Sequence, residues 1–264
     1  MTIDRLIRQT HARVAETQQG VPTYYDRRVI RQEEEHDPAW RARLEHHLAD
    51  RGEGRFVSWP VRAGVRREGL DPYRRSELPD ETLIMSQGTA QPMRWRGGHL
   101  FKSVYDFALT TMLLEELRPA GILEIGSGTG TSALWLADLA ASIGFPCRIV
   151  SLDLQPVEVS HPSVEFVVGD ARRIGEVLSS DVLADGPRLV FEDAHVGVAE
   201  VLDYVHPRLR EGDYLVVEDS VGKTEQLAAF DAAHPGEYAV DTGYTDFFGR
   251  NTTSCVDSIL RRMA

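Results

Sequence analysis

From Phe101 onward, short apolar segments alternate with segments in which apolar residues recur every three or four positions. The segment "GILEIGS" precedes "TSALWLADLAASIG", and further strand-like segments follow as "CRIVSLDL", "VEFVVGDA", "PRLVFEDA" and "DYLVVEDS". Strands connected by helices through short loops form a mostly parallel sheet with helices on both faces. The segments "EYAVDT" and "SCVDSILRR" are predicted to be a closing pair of strands. This pattern predicts an α/β fold with a Rossmann-like, mostly parallel sheet that an antiparallel strand closes.

The residues before this alternation have a different character. Residues 1–95 are rich in charge and show few regular apolar periods, although "RRVIRQEEEHDPAWRARLEHHLAD" is predicted to be helical. We therefore expect a helical extension over residues 1–95 and a ligand-binding domain over residues 96–264. Within that domain, "SVYDFALTTMLLEELR" and "RRIGEVLSSDVL" are predicted helices.

Charge and composition exclude several classes of protein. The net charge of −12 argues against nucleic acid as a partner, because phosphate binding needs a basic surface. No apolar run approaches the ~20 residues that span a bilayer, and the first residues contain no apolar leader segment. The two cysteines, Cys147 and Cys255, are far apart, which is typical of a reducing compartment. We expect a cytoplasmic enzyme or binding module without a membrane partner.

A glycine-rich loop follows the strand "ILEI". Gly126, Gly128 and Gly130 form "GSGTG", and Thr131 stands where the dinucleotide fingerprint requires its third glycine. Glu124 precedes the loop, at a position that is usually apolar in dinucleotide-binding strands. The departures argue against a nicotinamide-dependent reductase, although the glycines could also serve only to turn the chain.

Two further acids end the next two strands. Asp153 ends "IVSLDL", where a carboxylate can accept two hydrogen bonds from a ribose diol, and Asp170 ends "VVGDA", near a possible adenine edge. Acids around a glycine turn suit a ligand that carries an amino group and a ribose. S-adenosylmethionine is such a ligand, and the alternative is that these acids are ordinary surface residues.

Two acidic pairs end the following strands. Glu192 and Asp193 end "VFED", and Glu218 and Asp219 end "VVED". Carboxylates at adjacent strand ends can converge on one hard cation, so we predict Mg²⁺ or another hard divalent ion there. Strand alternation sends neighbours to opposite faces, so not all four acids are expected to bind it. Alternatively, one acid of each pair caps the next helix or pairs with an arginine.

The candidate catalytic residues are His195 and Asp193. A bound metal would lower the pKa of a substrate hydroxyl, and His195 would be the base that removes the proton. A histidine that only orients an acid is the alternative. His99, in "RGGHLFK", is a weaker candidate.

Together, "MRWRGGHLFKSVYD", "ILEIGSGTGTSALWLADL", "VFEDAH" and "EGDYLVVEDS" resemble the cephalosporin hydroxylase and rhamnosyl O-methyltransferase family over residues 93–262. The resemblance implies a class I methyltransferase fold that binds S-adenosylmethionine and commonly Mg²⁺. It also implicates the segment containing Trp95, Gly97, Lys102 and Asp106 near the cofactor. The family often has aspartate, any residue, aspartate, histidine where this chain has Glu192-Asp193-Ala194-His195, which leaves open which acid of the first pair binds metal.

The candidate residues divide by role. The cofactor-binding candidates are Trp95, Lys102, Glu124, Gly126, Ser127, Gly128, Thr129, Ser132, Asp153 and Asp170. The metal candidates are Glu192, Asp193, Glu218 and Asp219.

These residues and the resemblance predict an S-adenosylmethionine-dependent, Mg²⁺-assisted O-methyltransferase of antibiotic or other secondary metabolism. The expected acceptor is a deoxysugar hydroxyl, such as that of a nucleotide-linked or glycosidic rhamnose. A carboxylate, phenol or amine acceptor stays open, as does a cofactor-binding accessory subunit of a hydroxylating or methoxylating complex. Related proteins use their extensions as lids or oligomer contacts, so a homo-oligomer is expected. The segment "YTDFFGRNTTS" and Tyr105 are candidates for contacting the acceptor.

Overall fold

The computed structural model describes residues 54–65, 70, 75–183 and 186–264. The chain divides into two compact units, Met1–Arg55 and Phe56–Ala264. The helix predicted over residues 27–50 lies outside the described residues, and the proposed role of the extension stays a prediction.

Ten strands are described. They are β1 (Phe56–Val57), β2 (Met93–Trp95), β3 (Gly98–Leu100), β4 (Gly121–Ile125), β5 (Arg148–Asp153), β6 (Val164–Val168), β7 (Arg188–Glu192), β8 (Tyr214–Val217), β9 (Tyr238–Asp241) and β10 (Ile259–Arg262). The pair β2–β3 forms a separate hairpin, and the other eight strands form one sheet.

Eight α-helices are described. They are α1 (Trp59–Gly64), α2 (Asp80–Met85), α3 (Val104–Leu117), α4 (Thr131–Ile143), α5 (Ile174–Val177), α6 (Val198–Val205), α7 (Thr224–Ala233) and α8 (Thr242–Thr245). Short 3₁₀ turns cover Ala171–Arg173, His206–Arg208 and Ser220–Lys223.

The sheet has the strand order β1-β9-β10-β8-β7-β4-β5-β6. The five strands from β8 to β6 are parallel, whereas β10 is antiparallel to both β8 and β9. The predicted mostly parallel sheet with a closing antiparallel strand is therefore confirmed. The strand order reverses between β4 and β7, which is where ligands bind in sheets of this kind.

Side chains on opposite faces of the sheet pack into two apolar layers. On one face, Ile122 of β4 packs with residues of α3 and α4; on the other, Leu123 packs with residues of α6 and α7. The alternation follows from the two-residue period of a strand. The same period decides which face each functional acid reaches, because the acids directly continue these strands.

Two predicted elements are shorter than the sequence suggests. The helix predicted over residues 172–183 ends at Val177, because Leu178 adopts extended backbone and is buried in the core with Val182 and Leu183. The strand predicted over residues 254–262 begins only at Ile259, because Asp257 has a left-handed φ of 51° and interrupts the extended backbone. The first half of that segment is a buried loop.

The compact unit that contains the sheet begins at Phe56, earlier than the boundary predicted after residue 95. β1 extends the sheet by pairing with β9, and Trp59 of α1 is buried in one of the apolar layers. The sequence does not reveal β1, because a two-residue strand has no measurable period. Among the described residues, no helix has the length and hydropathy needed to cross a membrane.

Candidate active site

A cavity of about 380 Å³ lies at the carboxyl ends of β4, β5, β7 and β8. Its volume falls in the range that encloses a small organic ligand. Among the sequence candidates, the cavity is lined by Lys102, Gly126, Gly128, Asp153, Asp193, His195, Glu218 and Asp219. The structure thus brings the glycine loop and three of the four paired acids, Asp193, Glu218 and Asp219, to one site.

Gly126 allows the loop to pass close to a neighbouring strand end. Its φ is 102°, and an added Cβ would stand 2.6 Å from the backbone oxygen of Asp193. Gly130, with a φ of 80°, is the N-cap of α4 and turns the chain into the helix. The loop backbone therefore needs glycine for both conformation and space.

Asp153 lies at the cavity wall beside this loop. Its carboxylate accepts hydrogen bonds from the backbone N–H of Gly128 at 2.8 Å and of Gln155 at 3.0 Å. A carboxylate has about four acceptor sites, so Asp153 retains capacity for a ligand diol. The arrangement also fixes the glycine loop relative to β5.

Asp170 differs from Asp153. Its carboxylate accepts from the backbone N–H and the guanidinium of Arg172, and these hydrogen bonds hold its pKa below the ordinary value. Its neighbours Gly169 and Ala171 line the cavity, whereas its own side chain does not. Its position favours a backbone contact to a ligand over a side-chain one.

Glu124 is buried beneath the loop. Its carboxylate accepts hydrogen bonds from Ser151 and Ser132, and Ser127 Oγ lies 2.5 Å from Ser151 Oγ. Burial raises the pKa of Glu124, and the two serine hydrogen bonds oppose this shift. Glu124 thus reaches the loop through serine hydroxyls.

A smaller cavity of about 90 Å³ shares Lys102 and Gly126 with the main one. Its wall includes Ser127, Thr129 and Ser132, which the sequence places among the cofactor candidates, and also His99. These residues surround the start of α4, where backbone N–H groups favour an anionic ligand group.

Trp95 lies apart from both cavities. Its indole Nε1 donates to Asp138 Oδ2 at 2.7 Å, and its ring packs 6.3 Å from that of Phe107. This contact docks the β2–β3 hairpin on α4. Direct cofactor contact by Trp95 does not follow from this geometry, because its polar atom already has a partner.

Glu192 also points away from the cavity. It lies on the same face of β7 as Val190 and is fully buried, and its carboxylate accepts from Lys223 Nζ at 2.7 Å. Asp193, one residue later, lines the cavity. Strand alternation therefore separates the two acids, and Asp193 is the member of this pair that can reach a ligand. The Lys223 partner could not be inferred from sequence, because 31 residues separate the two.

Lys102 lies between two of the predicted metal carboxylates. Its Nζ donates to Glu218 and lies 3.2 Å from Asp193 Oδ2. Burial lowers the pKa of Lys102, but the carboxylates of Glu218 and Asp193 outweigh this effect, so the net shift is upward. Lys102 is therefore a protonated cation within the acidic cluster.

Asp193, His195 and Asp219 form a possible cation site. Their ligand atoms all lie within 4.8 Å of one another, and His195 Nε2 is 3.6 Å from Asp219 Oδ2. His195 and Asp219 both have left-handed backbone, with φ of 58° and 47°. Two carboxylates and one imidazole fit a hard or borderline divalent cation. His195 can therefore serve either as a base or as a ligand.

Three further residues line the cavity: Ser103, Asp106 and Ser254. The resemblance implicated Asp106, and Ser254 ends the segment "YTDFFGRNTTS", whereas Ser103 was not among the candidates. The motif Ser103-x-x-Asp106 marks the start of α3, since Ser103 accepts from the backbone N–H of Asp106 at 3.0 Å. Tyr244, by contrast, is buried and donates to Glu116 at 2.7 Å, so it does not line the cavity.

With this geometry in place, comparison with known proteins identifies the family. The family model described as rhamnosyl O-methyltransferase/CmcI matches residues 87–241, more than half of the chain. The chain belongs to this family. A rhamnosyl O-methyltransferase of Mycobacterium leprae (strain TN) is 30% identical over 178 residues, which cover 59% of this chain and 77% of that protein. The rhamnosyl O-methyltransferase of Mycobacterium tuberculosis (strain ATCC 25618 / H37Rv) is 28% identical over 179 residues, which cover 59% of this chain and 73% of that protein.

Solved structures of CmcI have the same fold. An apo structure matches with a TM-score of 0.57 at 23% identity, covering 75% of this chain and 87% of CmcI. A structure described with Mg and SAM matches with a TM-score of 0.56, covering 81% and 94%. The predicted class I methyltransferase fold is confirmed by these matches. The prediction of an O-methyltransferase is confirmed at the level of the family. Both predicted cofactors, S-adenosylmethionine and Mg²⁺, occur in the structure described for CmcI.

Proposed function

We propose that this chain transfers a methyl group from S-adenosylmethionine to a hydroxyl of a sugar, with assistance from a divalent cation. The observation that carries the proposal is the single cavity that joins the glycine loop and Asp153 to the acids Asp193 and Asp219. Rhamnosyl O-methyltransferases among the relatives support a deoxysugar such as rhamnose as the acceptor. A role in antibiotic biosynthesis and a cytoplasmic location belong to the same proposal.

The cofactor side of the cavity is formed by the glycine loop. Asp153 would accept the ribose hydroxyls, and Ser127, Thr129 and Ser132 would surround the amino-acid end of the cofactor in the smaller cavity. Glu124 would hold those serines in place through its buried hydrogen bonds.

The acidic side of the cavity would hold the cation. Asp193 and Asp219 supply carboxylate oxygens, and Glu218 lies beside them with Lys102. A divalent cation bound there supplies Lewis-acid polarisation of the acceptor hydroxyl. Lys102 neutralises part of the carboxylate charge, which limits repulsion among the three acids.

Methyl transfer is an in-line displacement, so the enzyme must align the acceptor oxygen, the methyl carbon and the sulfur. The acceptor oxygen forms a bond to the methyl carbon while the carbon–sulfur bond breaks, and the hydroxyl proton leaves to a base. His195 would receive that proton, since it lines the cavity and its exposed imidazole lies 3.8 Å from Asp193.

Calorimetric titration of S-adenosylmethionine and of NAD⁺ tests the cofactor, first with Mg²⁺ and then with chelator. We expect micromolar binding of S-adenosylmethionine and no heat with NAD⁺. A turnover screen with rhamnosides, nucleotide sugars, phenols and amines then identifies the acceptor class. Methylation of phenols or amines alone would refute the sugar acceptor, and cofactor binding without any turnover would favour an accessory subunit.

A further inference from the structure

Arg62 is an unusually well-bonded buried cation outside the cavity. It lies on α1 and is 2% exposed. Its two terminal nitrogens donate to both carboxylate oxygens of Asp246, at 2.7 and 2.6 Å, and its Nε donates to Asp257 Oδ1 at 2.9 Å. A fourth hydrogen bond, at 3.3 Å, reaches Asn251 Oδ1. The planar guanidinium suits such forked bonding.

The partners of Arg62 come from one loop. We call residues 246–257 the C-terminal loop; Asp246 begins it, Asn251 lies near its middle and Asp257 ends it. One side chain therefore bonds to the beginning, middle and end of the C-terminal loop. Because all of these groups are buried, the loop conformation depends on their mutual pairing.

A second cation completes this network. Arg75 Nε donates to Asp257 Oδ2 at 3.2 Å, and its backbone oxygen accepts from Asn251 Nδ2 at 3.1 Å. Two guanidinium groups thus face the two carboxylates of Asp246 and Asp257, which balances the charge. The left-handed φ of 51° at both Asn251 and Asp257 is held by these bonds.

The opposite side of the C-terminal loop meets the cavity. Ser254 lines the cavity, and its backbone N–H donates to Asp106 at 3.2 Å, while Thr253 Oγ1 also bonds to Asp106. The ring of Phe248 packs 5.6 Å from that of Tyr105 at the start of α3. Through Ser254, the C-terminal loop therefore contributes to the wall of the cavity.

From these contacts we propose that Arg62 is a positioning residue for acceptor binding. It fixes the C-terminal loop, and the loop fixes Ser254 and Asp106 in the cavity wall. We assign this part of the wall to the acceptor, because the glycine loop and Asp153 form the cofactor side. The cofactor side is held by a separate bond, between Asp153 and Gly128. This inference rests on the proposed function for the identity of the two sides.

The test compares R62M with R62K in the full-length chain, with V61A as the matched control. Val61 neighbours Arg62 on α1 and is 50% exposed. Three measurements are made: hydrogen exchange of peptides covering the C-terminal loop, calorimetric affinity for S-adenosylhomocysteine, and steady-state methylation of methyl α-L-rhamnopyranoside. Where R62M does not fold, R62K serves, because lysine keeps the charge but loses the forked hydrogen bonds.

We expect R62M to raise exchange in the C-terminal loop about tenfold. KM for the rhamnoside should rise about tenfold with a smaller change in kcat, and R62K should be intermediate. Affinity for S-adenosylhomocysteine should stay within about threefold of the parent, and V61A should match the parent throughout. Unchanged exchange in both Arg62 variants would overturn the proposal. So would a fall in cofactor affinity as large as the rise in KM for the rhamnoside. If the parent methylates no glycoside, the sugar acceptor is refuted, while exchange and cofactor affinity still decide the role of Arg62.

Discussion

The acids of this site fall into two groups: those that face the cavity, and those held by a neighbouring cation. Asp153 and Asp193 line the cavity, whereas Asp170 and Glu192 are occupied by Arg172 and Lys223. All four acids lie at the carboxyl ends of parallel strands of one sheet, so their sequence positions look equivalent. Their functions are expected to differ because their partners differ.

The contrast between Asp153 and Asp170 gives a first prediction. Asp153→Ala removes a charged acceptor that could bind two hydroxyls, so affinity for S-adenosylmethionine should fall by about 1.5–3 kcal/mol, roughly ten- to a hundredfold. Asp170→Ala, the matched control, should weaken binding far less. Calorimetry measures both, and equal losses would contradict the assignment of the ribose to Asp153.

The contrast between Glu192 and Asp193 gives a second prediction. Asp193→Asn should weaken Mn²⁺ or Mg²⁺ binding while changing the melting temperature little, because Asp193 is partly exposed and the buried Lys102 keeps Glu218 as its partner. Glu192→Gln should instead destabilise the fold by about 3–5 kcal/mol, because it leaves Lys223 buried without its charged partner.

Ion titration by calorimetry and thermal denaturation separate the two effects. A loss of cation binding in a stably folded Glu192→Gln variant would show that Glu192, and not Asp193, supplies the ligand.

At the scale of elements, the strand–loop–helix unit from β4 to α4 positions the cofactor side. The loop passes so close to the end of β7 that Gly126 has no room for a side chain. The β2–β3 hairpin is fixed on α4 by Trp95 and Asp138, which encloses the smaller cavity near His99. The loop conformation is thus set by its neighbours as well as by its glycines.

Gly126→Ala should therefore damage both stability and cofactor binding. The left-handed φ costs on the order of 1–3 kcal/mol, and the contact with the Asp193 backbone adds to that cost. Gly144→Ala is the matched control, since Gly144 has a φ of 90° at the end of α4 but open space around it. Chemical denaturation and S-adenosylmethionine titration should show the larger loss for Gly126→Ala. Equal stability losses and unchanged cofactor affinity would contradict this reasoning.

At the scale of the whole molecule, the ends of the described chain complete the sheet. β10 joins β8 to β9, and the short β1 adds an edge strand. At the other end of these strands from the cavity, His206, His234 and Arg262 cluster with Glu237 and Tyr238. The rings of His206 and His234 stack with centroids 3.5 Å apart, so the fold brings several basic groups together there.

This cluster predicts a pH dependence of global stability. Burial, with the neighbouring His234 and Arg262, lowers the pKa of His206, while Glu237 and Asp203 oppose the shift. Below the ordinary histidine pKa of about 6.5, the unfolded chain takes up a proton that the folded chain resists. The free energy of unfolding should therefore decrease as the pH falls from about 7 toward 5.

His206→Gln should flatten that decrease, which denaturant unfolding at several pH values would measure. A variant with the same slope as the parent over this range would show that other groups dominate the acid response.

The sequence by itself determined the parallel sheet, the glycine loop and the positions of the acids at the strand ends. These features depend on local periodicity and on residue types that few backbone conformations accept, so they are visible within short segments. It also predicted that the acids of each pair would point to opposite faces, because a strand has a period of two.

Only the tertiary structure decided that Asp193, and not Glu192, faces the cavity, and that Glu218 and Asp219 both line it. It also decided which partners the buried acids take. Lys223 binds Glu192, Lys102 binds Glu218, and Arg62 interrupts the predicted last strand by binding Asp257. The cation and the acid of these three ion pairs lie 31, 116 and 195 positions apart in the sequence, so no local pattern links them. A buried charge takes its partner from whichever segment the packed fold brings within hydrogen-bonding distance, because leaving it unpaired in the interior costs more than any local preference can offset.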